Sequence, residues 1–203
     1  MWFDILLACD INGVIGRENK LPWSFSTDMA FFKKKTQYTD LPNFHNVVIM
    51  GKNTYNSVKF LQGRINIVVS RSLYNENMEQ FSQKYDTFND AIGEPIFVDN
   101  FQHALTIAMV IDYVESVYVI GGAQLYSEAF AHPLCRYLYL TEIANEYEGD
   151  VFINRSEIYN EFEVIKYSQS GDIDRFQGES KTLVFKKMVN KNYSTNLKSV
   201  MDY

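Results

Sequence analysis

The hydrophobic positions in the N-terminal part of the chain form short runs of β-branched and aliphatic residues, separated by longer segments of mixed polarity. The runs predict buried strands, at residues 3–9, 47–50, 65–70, 96–98 and 117–120. The intervening segments predict helices, which begin near residues 27, 53, 102 and 124. We expect Ser26 or Thr27 to cap the first helix and Asp99 or Asn100 to cap the third. Because parallel strands need long crossovers, this alternation favours a mostly parallel sheet.

The C-terminal part of the chain has a different pattern. Three longer runs, at 137–143, 161–167 and 181–188, follow one another without obvious helices between them, which predicts an antiparallel edge of the sheet. Residues 72–94 are polar and poor in β-branched residues, and we expect a loop there. Residues 189–203 are polar and predict a loosely held tail. The expected architecture is therefore a single α/β domain at 1–188, with helices on both faces of its central sheet, and a tail at 189–203.

Composition narrows the class of protein. A hydrophobic content of 46% and a charged content of 22% are typical of globular proteins, and 203 residues suffice for one domain. The net charge of −6 argues against a nucleic acid partner, although a local basic pocket for one anionic cofactor stays compatible with it. The apolar segment 5–9 is too short for a signal peptide or a membrane span. We therefore expect a cytoplasmic protein with no membrane partner, in which Cys9 and Cys135 are reduced.

Two strands end at glycines that a helix follows directly, at Gly51 and at Gly121-Gly122. Each junction would present free backbone N–H groups and the positive end of a helix to an anion. A single glycine of this kind is more often an ordinary turn. Two such junctions on adjacent parallel strands are what a dinucleotide with separated phosphates would use, although neither has the spacing of the common dinucleotide fingerprint.

Three polar residues could distinguish between nicotinamide dinucleotides. Ser70 and Arg71 close the strand at 65–70, and Lys52 follows Gly51. Arg71 could be a solvent-exposed arginine at a strand end, or it could bind a phosphate monoester. If a dinucleotide lies nearby, the three residues favour NADPH over NADH, because only NADPH carries the additional phosphate.

Asp28 is the candidate catalytic carboxylate. It lies at the start of the first predicted helix, near aromatic residues and after Trp23. Two interpretations are open. Asp28 could stabilise the helix as an acid in its first turn, or it could be a buried carboxylate that accepts hydrogen bonds from the amidine-like edge of a ligand. The histidines, His45, His103 and His132, have no metal-ligand spacing, so we expect no metal site.

Together and in this order, these segments resemble the dihydrofolate reductase family over roughly residues 3–188. The motifs that carry the resemblance are Asn12-Gly13-Val14-Ile15-Gly16, Leu21-Pro22-Trp23, Asp28, Val48 to Thr54 with Ser57, Gly63-Arg64-Ile65-Asn66, Ser70-Arg71, Val119-Ile120-Gly121-Gly122, and Tyr139-Leu140-Thr141 with Glu148-Gly149-Asp150. Each motif is modestly specific by itself, and their shared order makes coincidence improbable.

The resemblance implies NADPH-dependent reduction of dihydrofolate to tetrahydrofolate, which supplies one-carbon metabolism and thymidylate synthesis. By the same resemblance, Asp28 holds the pterin edge, Thr141 orients it, Trp23 fixes a water and Arg64 binds the glutamate α-carboxylate. Further substrate contacts are implied at Leu6, Ala8, Met29, Phe32, Val58, Leu61 and Ile120. Cofactor contacts are implied at Ala8, Ile15, Gly16, Gly51, Lys52, Asn53, Thr54, Ser57, Ser70, Arg71, Gly121, Gly122, Ala123, Gln124, Leu125 and Tyr126. Antifolate inhibitors are expected ligands, and we expect a monomer.

Three other interpretations stay open. The chain could be a retired reductase domain that binds folate or NADPH as a regulatory module, although the presence of Asp28, Thr141, Trp23 and Arg64 together argues against this. It could also reduce another pterin or a pyrimidine. Finally, its long insertions and polar tail are similar to the reductase half of bifunctional dihydrofolate reductase-thymidylate synthases, in which case residues 189–203 are a vestigial linker or a docking segment.

Overall fold

The structure is a computed structural model that describes residues 1–84 and 93–195. Ten strands are present in this part of the chain: β1 Phe3–Asp10, β2 Val14–Gly16, β3 His45–Gly51, β4 Ile65–Val69, β5 Ile96–Val98, β6 Val114–Val119, β7 Cys135–Ile143, β8 Val151–Phe152, β9 Phe162–Asp174 and β10 Glu179–Asn190. The helices are α1 Ser26–Gln37, α2 Lys52–Val58, α3 Arg71–Lys84, α4 Phe101–Val110, α5 Ala123–Phe130 and α6 Arg155–Glu161. None of the helices in these ranges combines the length and apolar character that crossing a bilayer requires.

Eight of the strands form one sheet in the order β5-β4-β3-β6-β1-β7-β10-β9. From β5 to β7 every neighbouring pair is parallel, which confirms the predicted class. The predicted antiparallel edge is also confirmed, because β10 pairs in antiparallel with both β7 and β9, while β7 joins this edge to the rest of the sheet by pairing with β1 in parallel. The reason is that α5 carries the chain back across the sheet, so β7 starts from the same edge as the strands before it. Within the described sheet only β10 runs in the opposite direction, between β7 and β9.

The central strands are buried on both faces. Alternate residues of β1 and β3 belong to two different apolar clusters: Ile5 and Ile49 pack with residues of α4 and α5, whereas Leu6 and Met50 pack with aromatic residues of α1 and α2. This explains why the strands read as continuous apolar runs rather than as alternating patterns. It also confirms helices on both faces of the sheet.

Residues 72–94 were expected to form a loop, but residues 71–84 form α3. The helix begins where Ser70 accepts hydrogen bonds from the backbone N–H groups of Leu73, at its side-chain oxygen (3.3 Å), and of Tyr74, at its carbonyl (2.9 Å). A shortage of β-branched residues is compatible with a helix as much as with a loop, since Glu, Gln, Met and Lys are good helix formers. The rest of this prediction, at 85–92, falls outside the described residues.

One of the two predicted helix caps is confirmed and the other is wrong. Asn100 caps α4, as predicted, and accepts a hydrogen bond from the backbone N–H of His103 at 2.8 Å. The predicted cap of α1 is wrong, because Phe25 is the N-cap residue and offers no side-chain acceptor. Instead, Asp172 of β9 accepts hydrogen bonds from both the backbone N–H (2.8 Å) and the hydroxyl (2.7 Å) of Thr27. The first turn of α1 is therefore fastened by a residue distant in sequence.

Two further elements differ from the sequence pattern at the C-terminal end. The segment after β8 contains the short helix α6, whose cap Asn154 accepts a hydrogen bond from the N–H of Ser156 at 3.1 Å. The predicted start of the tail, at residue 189, falls inside β10, where Val189 and Asn190 are buried. Residues 191–195 continue as a helical turn, and residues 196–203 fall outside the described residues.

Candidate active site

A cavity of about 910 Å³ lies at the carboxyl ends of the parallel strands. Residues 6–8 of β1, the last residue of β3, and the residues that follow β4, β5 and β6 all contribute to its wall. In sheets of this kind, ligands bind at this edge, where the backbone groups at the helix starts are free. The position of the cavity is therefore the one that the sequence pattern predicts.

The cavity brings together most of the predicted site. Every residue expected at the cofactor lines it, from Ala8, Ile15 and Gly16 to the stretch 121–126. Two of the three expected catalytic residues also line it, Asp28 and Thr141. So do the expected substrate contacts Leu6, Ala8, Met29, Phe32, Val58 and Ile120. Trp23, Leu61 and Arg64 are not part of its wall.

Asp28 is a buried carboxyl group on the cavity wall, with 8% of the residue exposed. Burial in the apolar slot between α1 and the sheet raises its pKa, the nearby charge of Asp172 raises it further, and a hydrogen bond from the Thr141 hydroxyl opposes both effects. Thr141 lies opposite Ala8 in the β1–β7 pairing, so α1 and two central strands together hold this carboxyl in place. The result is a proton-accepting group in a largely apolar surrounding.

The two glycine junctions contact each other directly. The backbone N–H of Gly51 donates to the carbonyl of Gly121 at 2.7 Å, which ties the end of β3 to the end of β6. Gly121 has a φ of +115°, and a Cβ built on it would lie 3.2 Å from the ring of Tyr126. That ring is fixed in turn, because its hydroxyl donates to the carbonyl of Leu6 at 2.7 Å. A side chain at residue 121 would therefore press against a ring that is held in place, and the positive φ also favours glycine there.

A polar cluster lies where α2 and α3 begin. The ammonium of Lys52 donates to the hydroxyl of Ser72 at 2.9 Å, and the hydroxyls of Ser70 and Ser72 are 3.2 Å apart. Arg71 lies between the two serines in sequence, is exposed and contributes to the cavity wall. Two cations and two hydroxyls at a helix start suit a phosphate monoester. The sequence pattern missed Ser72, because it placed no helix start there.

Trp23 and Leu61 are packed behind the cavity rather than in its wall. Trp23 is 2% exposed, and its ring meets that of Tyr147 at 5.2 Å between centroids. Its indole nitrogen is buried and has no hydrogen-bond partner among the described residues. Leu61 packs against the apolar cluster that contains Leu6 and Met50. The unpaired indole N–H is a polar group that a bound water would satisfy.

Arg64 lies at the start of β4, with 6% of the residue exposed. Its guanidinium donates to the hydroxyl of Thr36 at 2.8 Å and to the carbonyl of Gln62 at 3.2 Å. Burial lowers its pKa, and no acidic group of the described chain acts on it. A guanidinium bound only to neutral groups retains donors for an external carboxylate.

The sequence of this chain matches the profile of the dihydrofolate reductase family over residues 2–187. The chain belongs to the dihydrofolate reductase family. It is 29% identical to the dihydrofolate reductase of Drosophila melanogaster over 154 residues, which are 74% of this chain and 78% of that protein. It is 32% identical to the dihydrofolate reductase of Heliothis virescens over 153 residues, 73% of this chain and 76% of that protein.

Larger proteins also match the chain. It is 32% identical to a bifunctional dihydrofolate reductase-thymidylate synthase of Glycine max over 159 residues, which are 74% of this chain and 28% of that protein. A bifunctional relative from Paramecium tetraurelia is 29% identical over 193 residues, 94% of this chain and 36% of that protein. The chain thus spans about a third or less of the length of these bifunctional relatives.

The cavity of this dihydrofolate reductase family member has further wall residues that the sequence did not indicate: Leu7, Asn19, Lys20, Leu21, Phe31, Val69, Asp99, Asn100, Phe101, Glu128, Tyr139 and Val151. A signal existed for two groups of them. Phe31 follows Asp28 by three residues, so both lie on the same helix face. Asp99 and Asn100 come directly after β5, and the ends of neighbouring parallel strands meet at one edge.

Proposed function

We propose that this protein reduces 7,8-dihydrofolate to 5,6,7,8-tetrahydrofolate with NADPH, and so supplies one-carbon metabolism and thymidylate synthesis. The observation that carries the proposal is Asp28: a buried carboxyl beside Thr141, in the same cavity as the two joined glycine junctions. The fold alone does not identify the reaction, because proteins with similar folds catalyse many different reactions. The combination of an apolar slot, one buried acid and an anion cradle suits a heterocycle beside a dinucleotide.

The residues at the strand ends fit a phosphorylated dinucleotide. The junctions at Gly51 and Gly121 offer backbone N–H groups to a pyrophosphate, and the space above Gly121 has no room for a side chain. Lys52, Ser70 and Arg71 supply charge and hydroxyl donors for the additional phosphate of NADPH. When bound, the nicotinamide supplies the hydride that adds to carbon 6 of the pterin, whose nitrogen 5 takes a proton from solvent.

Asp28 would orient the pterin ring. An ionised carboxylate there would accept two parallel hydrogen bonds, from the 2-amino group and from nitrogen 3 of the ring, and Thr141 beside it would stabilise the ionised form. Phe32, Met29 and Ile120 line the same wall and would cover the faces of the ring. The protein thereby contributes position and electrostatics to the hydride transfer.

Two groups outside the wall have roles in the same proposal. Arg64 would bind the α-carboxylate of the glutamate tail as a two-pronged donor, because its described partners are neutral. Trp23 would hold one water near the ring through its unpaired indole N–H. Antifolate inhibitors that present an amidine-like edge to Asp28 would bind in the same slot. The monomeric state and the cytoplasmic location stay predictions.

The direct test follows NADPH absorbance with and without dihydrofolate. We expect absorbance to fall only when protein, NADPH and dihydrofolate are all present. Tight binding of both ligands without any turnover would contradict the proposal and favour a regulatory binding module. Faster turnover with another pterin or a pyrimidine than with dihydrofolate would instead reassign the substrate.

A further inference from the structure

The cavity wall contains acids as well as cations. Asp99 and Glu128 line the cavity together with Lys52 and Arg71. Val69 pairs with Val98 in the parallel β4–β5 ladder, and the backbone N–H of Ser70 donates to the carbonyl of Val98 at 2.8 Å. The residues after these strands, Ser70 and Asp99, are therefore neighbours across the ladder, about 5 Å apart at their Cα atoms. An acid thus lies beside the cluster that would hold the phosphate.

The carboxylate of Asp99 is held in a defined orientation. It accepts hydrogen bonds from the ring Nδ1 of His103 at 2.7 Å and from the side-chain amide of Asn100 at 3.0 Å. The His103 ring packs edge-on against Tyr74 of α3 at 5.6 Å between centroids. Both side-chain bonds end on the same oxygen, Oδ1. The hydrogen bond from His103, chief among the causes, lowers the pKa of Asp99, so the group is ionised at neutral pH.

An ionised carboxylate accepts hydrogen bonds and cannot donate them. It therefore favours a ribose that keeps its hydroxyls and repels a phosphate at the same position. Carboxylates recognise unphosphorylated ribose in many dinucleotide sites for this reason. Lys52 and Arg71 have the opposite preference, so the two sets of groups compete for the same part of the ligand.

We propose that Asp99 determines the dinucleotide specificity of this protein by weakening the preference for the 2′-phosphorylated cofactor, so that NADH serves as a second hydride donor. The inference rests on the proposed function, because it assumes that the cavity binds a nicotinamide dinucleotide. Oδ2 of Asp99 accepts neither of the bonds from His103 and Asn100 and would be the oxygen available to a ribose hydroxyl. His103 and Asn100 are positioning residues that hold the carboxylate through Oδ1.

The test compares the dissociation constants of NADPH and NADH for the unaltered protein, Asp99→Asn and Asp112→Asn. Asp112 is an exposed acid between α4 and β6, at the opposite edge of the sheet, so it matches the charge change at a distance. We expect Asp99→Asn to increase the ratio of NADH to NADPH dissociation constants about five-fold, as removing one partly exposed like charge near a phosphate predicts. Asp112→Asn should leave the ratio unchanged.

Calorimetric titration with 2′,5′-ADP and with AMP isolates the same subsite from the nicotinamide. Asp99→Asn should strengthen binding of 2′,5′-ADP and not of AMP. An unchanged or smaller preference for the phosphorylated ligand in Asp99→Asn overturns the inference, while NADPH binding by the unaltered protein would leave the proposed function standing. Failure of the unaltered protein to bind either dinucleotide overturns both.

Discussion

The side chain of Thr141 lies beside the buried carboxyl of Asp28 on the cavity wall. The two residues lie on different elements, α1 and β7, and meet only because β7 runs parallel to β1 and brings residue 141 to the cavity edge. Burial raises the pKa of Asp28, and Thr141 restrains the rise. The pair therefore places one buried acid on the cavity wall.

Substitutions of Arg64 and Arg71 should affect the binding of the two substrates differently. Arg64→Leu removes a buried guanidinium that would pair with the glutamate carboxylate, and it should increase the KM for dihydrofolate by about ten-fold or more, as loss of a charge-assisted hydrogen bond predicts. The KM for NADPH should change little. Arg71→Leu is the matched control and should show the opposite pattern. Equal effects of both variants on both substrates would contradict the assignment of these two residues.

Gly121 should tolerate no side chain. In Gly121→Ala, the new Cβ would lie 3.2 Å from the Tyr126 ring, and the alanine would have to adopt a φ of +115°. We expect at least ten-fold weaker NADPH binding and a loss of about 1 to 2 kcal/mol in the free energy of unfolding, from the backbone conformation alone. Gly178→Ala is the control, because Gly178 also has a positive φ, +72°, but has nothing within 4 Å of a built Cβ. It should lose stability and keep NADPH affinity, measured by fluorescence titration.

A network on the reverse face of the sheet should make stability depend on pH. Glu142 accepts hydrogen bonds from Arg155 (2.5 Å), Tyr159 (2.6 Å) and Lys186. Burial alone would raise the pKa of Glu142, but these three donors outweigh it and lower the pKa below its usual value of 4.5. A lowered pKa in the folded state stabilises the protein above the unfolded value, and this contribution disappears as the pH falls through the folded value.

Glu142→Ala should therefore cost about 2 kcal/mol of unfolding free energy at neutral pH, because it leaves the half-buried cations of Arg155 and Lys186 without their carboxylate partner. The difference from the unaltered protein should narrow as the pH drops below about 4.5. Urea unfolding at several pH values measures both effects. A penalty that does not depend on pH would mean that the ionised form of Glu142 makes no such contribution.

The sequence predicted those parts of the fold and site that local patterns encode. The runs before Gly51 and Gly121, and the helices after them, are contiguous in the chain, so their strands, turns and cavity wall could be predicted. The cap of α1 could not, because its acceptor, Asp172, is supplied by a strand far along the chain. The parallel pairing of β7 with β1 could not be predicted for a similar reason, since strand pairing is decided by where a crossover helix returns the chain.

The charged groups around Ser70 also come together only in the tertiary structure. Asp99 comes next to Ser70 only through the β4–β5 ladder, and Ser72 reaches Lys52 only once α3 has formed. Residues 72–84 have no apolar period strong enough to identify that helix, so the sequence pattern indicated a loop. Side chains that act on a ligand from separate strands are found only when the order of the strands is known.

Single-turnover hydride transfer from NADPH to dihydrofolate in Asp28→Asn, at neutral pH, tests the proposed role of Asp28 directly. The account predicts a rate about two orders of magnitude below that of the unaltered protein, as expected for losing a positioned, proton-linked carboxylate. Because burial raises the pKa of Asp28, the same variant should be at least as stable at neutral pH, which shows that it folds. A folded Asp28→Asn protein that transfers hydride at the rate of the unaltered protein would contradict the account.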